Sequence, residues 1–217
     1  MLSEAKEMAS QIASSLPQTV DGFATTDKSK IPFKLLSLRE LLLHRISALA
    51  SPAVQLFENR EHVAAVVLVR AVIETVALLF SLHRQLKAFQ QSEDVEALDH
   101  FLTSGLLASR WEDAPYPARS ILTFIDHIDR ELPGFRATYD SLSEFAHPNW
   151  CGVFEAFGQV VPAERLLKLG PSDRTTVFES GISALCGSLA ATKHYYNNSA
   201  ELIAAANEYF ESRSNVA

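Results

Sequence analysis

The sequence predicts an all-α helical bundle with one short β-hairpin near residues 152–170. Three features carry that reading. Apolar residues recur at helical spacing over long stretches, as in Val63, Val66, Val67, Ile73, Ala77, Leu78 and Leu82. Proline and glycine fall between such stretches, at Pro17, Pro52, Pro115, Pro117, Pro133-Gly134 and Pro148. Residues 152–170 lose the helical period, and "GVFEAF" and "RLLKLG" are short runs bounded by Gly and Pro, as a hairpin requires.

Taken in order, residues 3–16 carry helical spacing through Met8, Ile12 and Leu16 and stop at Pro17. A polar stretch rich in Thr, Asp, Ser and Lys follows, so residues 1–30 read as a helix and linker arm and residues 31–213 as the bundle domain. "FKLLSLRELLLHRISALA" is apolar almost all round and predicts a buried helix. Ser51-Pro52 suits a first helical turn, so a separate short helix is expected over 52–59. The apolar stripe over residues 61–90 predicts a helix most strongly, and residues 94–108 predict a further one. Pro115 and Pro117 force extended or turn backbone. "ARSILTFIDHIDREL" and "GFRATYDSLSEFAH" predict two more amphipathic helices, the second ended by Pro148. A long final helix runs from a cap at Thr175 or Thr176 to about residue 210.

Composition limits the function classes. The 217 residues suit one domain with an extension, and 47% hydrophobic with 21% charged residues is a globular balance. A net charge of −7 argues against a duplex-DNA binder, which needs a basic face. Cys151 and Cys186 do not make a disulfide framework and read as reduced thiols. The N-terminus lacks the basic and apolar regions of a signal peptide, and the most apolar tract carries Arg70 and Glu74 in its middle, so a cytoplasmic protein without a membrane span is expected.

Two groups of polar residues stand out. Arg70 and Glu74 are neighbours on one helix face, beside the buried stripe. Tyr139, Ser143 and His147 lie at i, i+4 and i+8 along another helix, with His147 at its last turn, where a histidine can meet unpaired carbonyls. Other chemistries lack their parts. Ser143 has no GxSxG elbow, no Walker A or GxGxxG pattern occurs, and Glu144-x-x-His147 has no second copy to build a di-iron site. No metal and no cofactor is expected.

The segment Arg70-Ala-x-x-Glu74, together with "YDSLSEFAHPN" ending at Asn149, resembles a group of uncharacterised bacterial helical proteins. These are similar in turn to the HEPN superfamily, the higher-eukaryote and prokaryote nucleotide-binding helical domains. The resemblance spans roughly residues 35–200. It implies a HEPN-like bundle, a homodimer, and in active members an Arg and a His that cut RNA without metal, in toxin or phage-defence settings. It carries over Arg70, Glu74, Tyr139, Ser143 and His147 as the polar centre of the fold, and Asn149 joins Glu74, Tyr139 and Ser143 as a candidate binding or structural residue. The superfamily's Arg-x4–6-His hallmark is met literally by Arg39 and His44, but on an early helix, so its role is not carried to them.

The resulting expectation is an RNA- or nucleotide-directed binding or regulatory module. The alternatives are a metal-independent endoribonuclease using His147 and Arg70, and a non-catalytic protein-interaction scaffold.

Overall fold

A computed structural model describes residues 1–171 and 175–213, with the side chains of the last helix described from residue 177. The cap expected at Thr175 or Thr176 lies outside the described residues. The chain is an all-α bundle with one hairpin. Its helices are α1 (Leu2–Ser14), α2 (Ile31–Glu58), α3 (His62–Ser92), α4 (Val95–Leu107), α5 (Ile121–Asp129), α6 (Phe135–Ala146) and α7 (Thr175–Ser212). Between α6 and α7 a wide helical turn, Trp150–Glu155, leads into β1 (Gly158–Val161) and β2 (Leu166–Leu169), an antiparallel pair in which Gly158 faces Leu169.

The bundle is built around α3. Its apolar residues point in every direction, and α2, α5, α6 and α7 pack against it. Val66, Val69, Val72, Ile73, Val76 and Leu79 are all sealed. A helix this long and apolar meets the length and composition of a membrane span, and 56% of its most apolar stretch is buried inside the bundle. Each such side chain contributes about 1.5–3 kcal/mol when buried, so this helix anchors the fold.

The short helix expected over 52–59 is instead the end of α2, which runs through Pro52 without a break. Proline inside a helix removes one hydrogen bond and crowds the carbonyl four residues back, at about 3 kcal/mol. Ala50, Ala53, Val54 and Phe57 all bury on that last stretch, and their burial outweighs the penalty. Helix α4 comes unusually close to α2, because a Cβ on Gly105 would stand 2.7 Å from a Leu38 methyl carbon.

The N-terminal arm lies on the body. Ala5 and Ala9 of α1 bury against α2 and α7, and Lys6 pairs with Glu58 at 2.7 Å. Along the linker, His44 Nε2 meets the Pro17 carbonyl oxygen at 2.7 Å, and the Thr26 amide donates to Asn207. A carbonyl only accepts, so His44 carries its proton on Nε2.

Helix α6 ends at Ala146. His147, the residue before Pro148, takes extended backbone at φ −90° and ψ 148°. A residue preceding proline is pushed out of the helical region by the proline ring, which is why the helix stops one residue earlier than its polar spacing suggests. The chain then folds back tightly. A Cβ on Gly152 would stand 2.0 Å from the His147 carbonyl oxygen and 2.8 Å from that of Phe145, so only glycine fits. The hairpin beyond is exposed, with Leu169 at 81%.

Two glycine substitutions are expected to act in opposite directions. Gly152→Ala should lower stability by about 1–3 kcal/mol, as other overpacked sites do. Gly187, inside α7, has open space where a Cβ would go, and Gly187→Ala should raise stability by about 0.4–1 kcal/mol. Urea denaturation of both variants reads this directly.

Candidate functional site

Four of the residues singled out by sequence meet between α3 and α6. Arg70 and Glu74 lie one turn apart on α3, and Tyr139 and Ser143 lie one turn apart on α6. The Arg70 guanidinium donates from Nε to Ser143 Oγ at 2.9 Å and from Nη2 to the Tyr139 hydroxyl at 2.5 Å. The Tyr139 hydroxyl donates in turn to Glu74 Oε1 at 2.9 Å. Ser143 donates back to the Tyr139 carbonyl at 2.8 Å. Arg70 Nη2 and Glu74 Oε1 are 3.4 Å apart, and the guanidinium carbon stands 4.8 Å from the Tyr139 ring centroid.

Burial divides this network into two parts. The Tyr139 side chain is sealed, with only 3% of the residue exposed. Arg70 and Glu74 keep 30% and 26% of their side chains in solvent. An ion pair that exposed contributes at most about 1 kcal/mol. The hydrogen bonds to the buried phenol matter more, because a buried hydroxyl without partners costs about 1–3 kcal/mol. Burial first, and then the Glu74 carboxylate, push the Tyr139 hydroxyl above its ordinary range, against the pull of Arg70. Tyr139 therefore stays a neutral donor.

His147 lies apart from this network. It is exposed at the end of α6, and its imidazole makes no hydrogen bond, ion pair or ring contact among the described residues. Asn149 shapes the turn that follows. Its amide nitrogen donates to Glu144 Oε2 at 2.7 Å, and its side-chain oxygen accepts from the Gly152 amide at 3.1 Å. Beside them Trp150 is 63% exposed and stacks on Phe154 with ring centroids 4.4 Å apart. The Cys151 thiol is pushed up by burial and by a hydrogen bond to Glu155, which disfavours a reactive thiolate.

Two further polar nodes join the core helices. Glu40 on α2 is buried. It accepts from Arg39 Nε at 2.7 Å and from the Tyr196 hydroxyl of α7 at 2.8 Å, while the Arg39 guanidinium carbon lies 4.5 Å from the Tyr196 ring centroid. Adjacent positions on a helix do not face one another, so no spacing rule singles out Arg39 with Glu40. Their pairing depends on Tyr196, which is remote in sequence. Arg39 and His44 have separate partners, Glu40 and Pro17. Positions five apart point about 140° away from one another around a helix.

The third node links α3, α7 and the turn after α5. Ser199 donates to the Tyr195 carbonyl at 2.6 Å, so it receives the Nδ1 proton of the buried His83 at 3.3 Å. The Tyr195 hydroxyl donates to Glu131 at 3.2 Å. Burial, and then Lys87, hold the His83 imidazole below its ordinary value, so it is buried neutral. Among the described residues no group of three or more His, Cys, Asp and Glu side chains gathers as a metal site.

Comparison of the chain with family models, with curated proteins and with solved structures finds no match.

Two outcomes test this reading of the nodes. Arg70→Met should cost about 1–3 kcal/mol and Tyr139→Phe somewhat less, with a coupling of at least about 0.5 kcal/mol in the double variant. Urea denaturation of the four proteins measures it. The second outcome concerns pH. Burial raises Tyr195 and Tyr196 to about 12 from 10.0. The folded chain then holds protons that the unfolded chain releases, so stability should fall as pH rises from about 10 to 12. His83 is shifted the other way, from 6.5 downward, and its contribution should be lost as pH falls below that value. Melting temperature against pH should show both limbs, the alkaline one reduced in Tyr196→Phe.

Proposed function

We propose that this chain is a non-catalytic, HEPN-like binding module that holds single-stranded RNA or a nucleotide at the C-terminal end of α6. The exposed Trp150, stacked on Phe154 beside the accessible His147, is the observation that carries the reading. An exposed indole backed by a second ring is a platform on which a base can stack, and such stacking contributes about 1–3 kcal/mol per base. Stacking tolerates an acidic protein better than a backbone grip does, because it needs no cluster of cations. The Arg70, Glu74, Tyr139 and Ser143 network then serves to hold α6, and with it the platform.

Against catalysis stand two features. Arg70 already gives Nε and Nη2 to Ser143 and Tyr139, with the Glu74 carboxylate alongside. A developing phosphate charge would have to displace those partners. A catalytic His147 would need a partner to orient it, and its imidazole makes no hydrogen bond, ion pair or ring contact among the described residues.

A scaffold role is the second reading, and the exposed hairpin favours it. Leu166, Leu167 and Leu169 place apolar side chains on both faces of β2, a pattern suited to a strand covered on two sides. A homodimer joined there would satisfy it.

The experiment is a titration of the purified protein with oligouridylate, oligoadenylate and mononucleotides, followed by tryptophan fluorescence. Quenching is expected, with affinity about 5- to 150-fold weaker in Trp150→Ala. Affinity unchanged in Trp150→Ala, or no binding by the parent, contradicts the proposal. Incubation with mixed RNA should leave it intact. Cleavage lost in His147→Ala and in Arg70→Ala would favour the endoribonuclease instead. Light scattering of the parent and of Leu167→Ser tests the dimer.

A further inference from the structure

Helices α6 and α7 both rest on α3, and a groove of about 730 Å³ runs between them. Ile73 of α3 lies at its floor, and Leu142 and Thr138 line it from α6. The wall from α7 is made of small residues, Ser180, Ser183, Ala184, Gly187 and Ser188. Gly187 leaves open space where any other residue would place a Cβ. The size falls within the range of small-molecule sites, about 300–1,000 Å³.

Small residues alone make only a gap. The second observation is Ser188. It is 2% exposed, and its hydroxyl has no hydrogen-bond partner among the described residues, although its carbonyl receives the Thr192 hydroxyl. Other buried hydroxyls on these helices bond back to the carbonyl four residues earlier, as Ser81, Thr192 and Ser199 do. The Ser188 hydroxyl does not, and it lines the groove. Its oxygen is not sealed from solvent, so it stands open to the groove, where a ligand's polar group can hydrogen-bond it for about 0.5–1.5 kcal/mol.

Charge narrows the ligand class. Glu179 is the one charged side chain among the described residues that line the groove. It disfavours anions, so nucleotides and other phosphates are poor candidates. We propose that the groove binds a neutral or cationic, largely apolar small molecule, with one polar group on Ser188 and any cationic group toward Glu179. The site is independent of the RNA reading. It lies on the flank of α6 marked by Thr138 and Leu142, whereas Tyr139 and Ser143 face Arg70.

A matched ligand series tests this with the full chain. Indole, tryptamine and indole-3-acetate share one ring and differ in charge. In NMR titrations of the 15N-labelled protein, indole and tryptamine should shift the amides of α6 and α7 that border the groove. Tryptamine should bind about two- to fivefold tighter than indole-3-acetate, the scale of an exposed ion pair. Gly187→Leu should abolish the shifts while the melting temperature stays at or above the parent's. Ser188→Ala should weaken indole about two- to tenfold without loss of stability, since its hydroxyl has no partner to lose. No shifts at the groove, acetate binding as tight as tryptamine, or full binding by Gly187→Leu would each overturn the proposal.

Discussion

The hydrogen bonds from Arg70 to Tyr139 and Ser143 set the position of α6 and of the turn that follows it. Helix α6 is short, and Tyr139 and Leu142 are its fully buried residues. Two buried side chains anchor twelve residues weakly, so the polar contacts to α3 carry a large share of the attachment. The phenol hydroxyl makes this arrangement selective. Buried as it is, it must find partners, and Arg70 and Glu74 offer them at one register of the two helices. A shift of α6 by one residue would turn Tyr139 away and leave the hydroxyl unpaired inside the core. Register in turn places Pro148, the glycine-dependent turn at Gly152, and the exposed Trp150.

The other nodes repeat the device with different residues. Glu40 and Tyr196 join α2 to α7, and His83, Ser199, Tyr195 and Glu131 join α3, α7 and the turn before α6. In each, a tyrosine hydroxyl crosses from one helix to a carboxylate on another element. The apolar core supplies most of the burial, but apolar contacts are non-directional. Helices as uniformly apolar as α2 and α3 could slide against their neighbours at little cost. A buried hydroxyl with one acceptor in reach penalises such sliding by about 1–3 kcal/mol per site.

The fold class was legible because helical periodicity and proline placement are local properties of the chain. The same holds for the Arg70–Glu74 and Tyr139–Ser143 pairs, since i, i+4 spacing fixes a shared face without knowledge of the tertiary structure. That these pairs join one another is a tertiary fact, and spacing gave only the faces. Continuity of α2 through Pro52 was not legible, because it depends on what Ala53, Val54 and Phe57 meet far away. The extended backbone of His147 follows from Pro148 alone, because the proline ring drives the preceding residue out of the helical region whatever its i+8 spacing. The Glu40–Tyr196 node left no local mark at all. Nor did the groove beside Ser188, since a gap between helices has no signature in sequence.

Hydrogen exchange of the backbone amides tests the central claim most directly, namely that the Arg70–Tyr139 contact holds α6 against a core that is stable without it. Native-state exchange resolves local opening from global unfolding. In Arg70→Met, faster exchange is expected in α6 and in the turn at 149–155, with α3 and the middle of α7 protected as in the parent. Equal protection of α6 in both proteins would contradict the account, and so would a uniform loss across all helices.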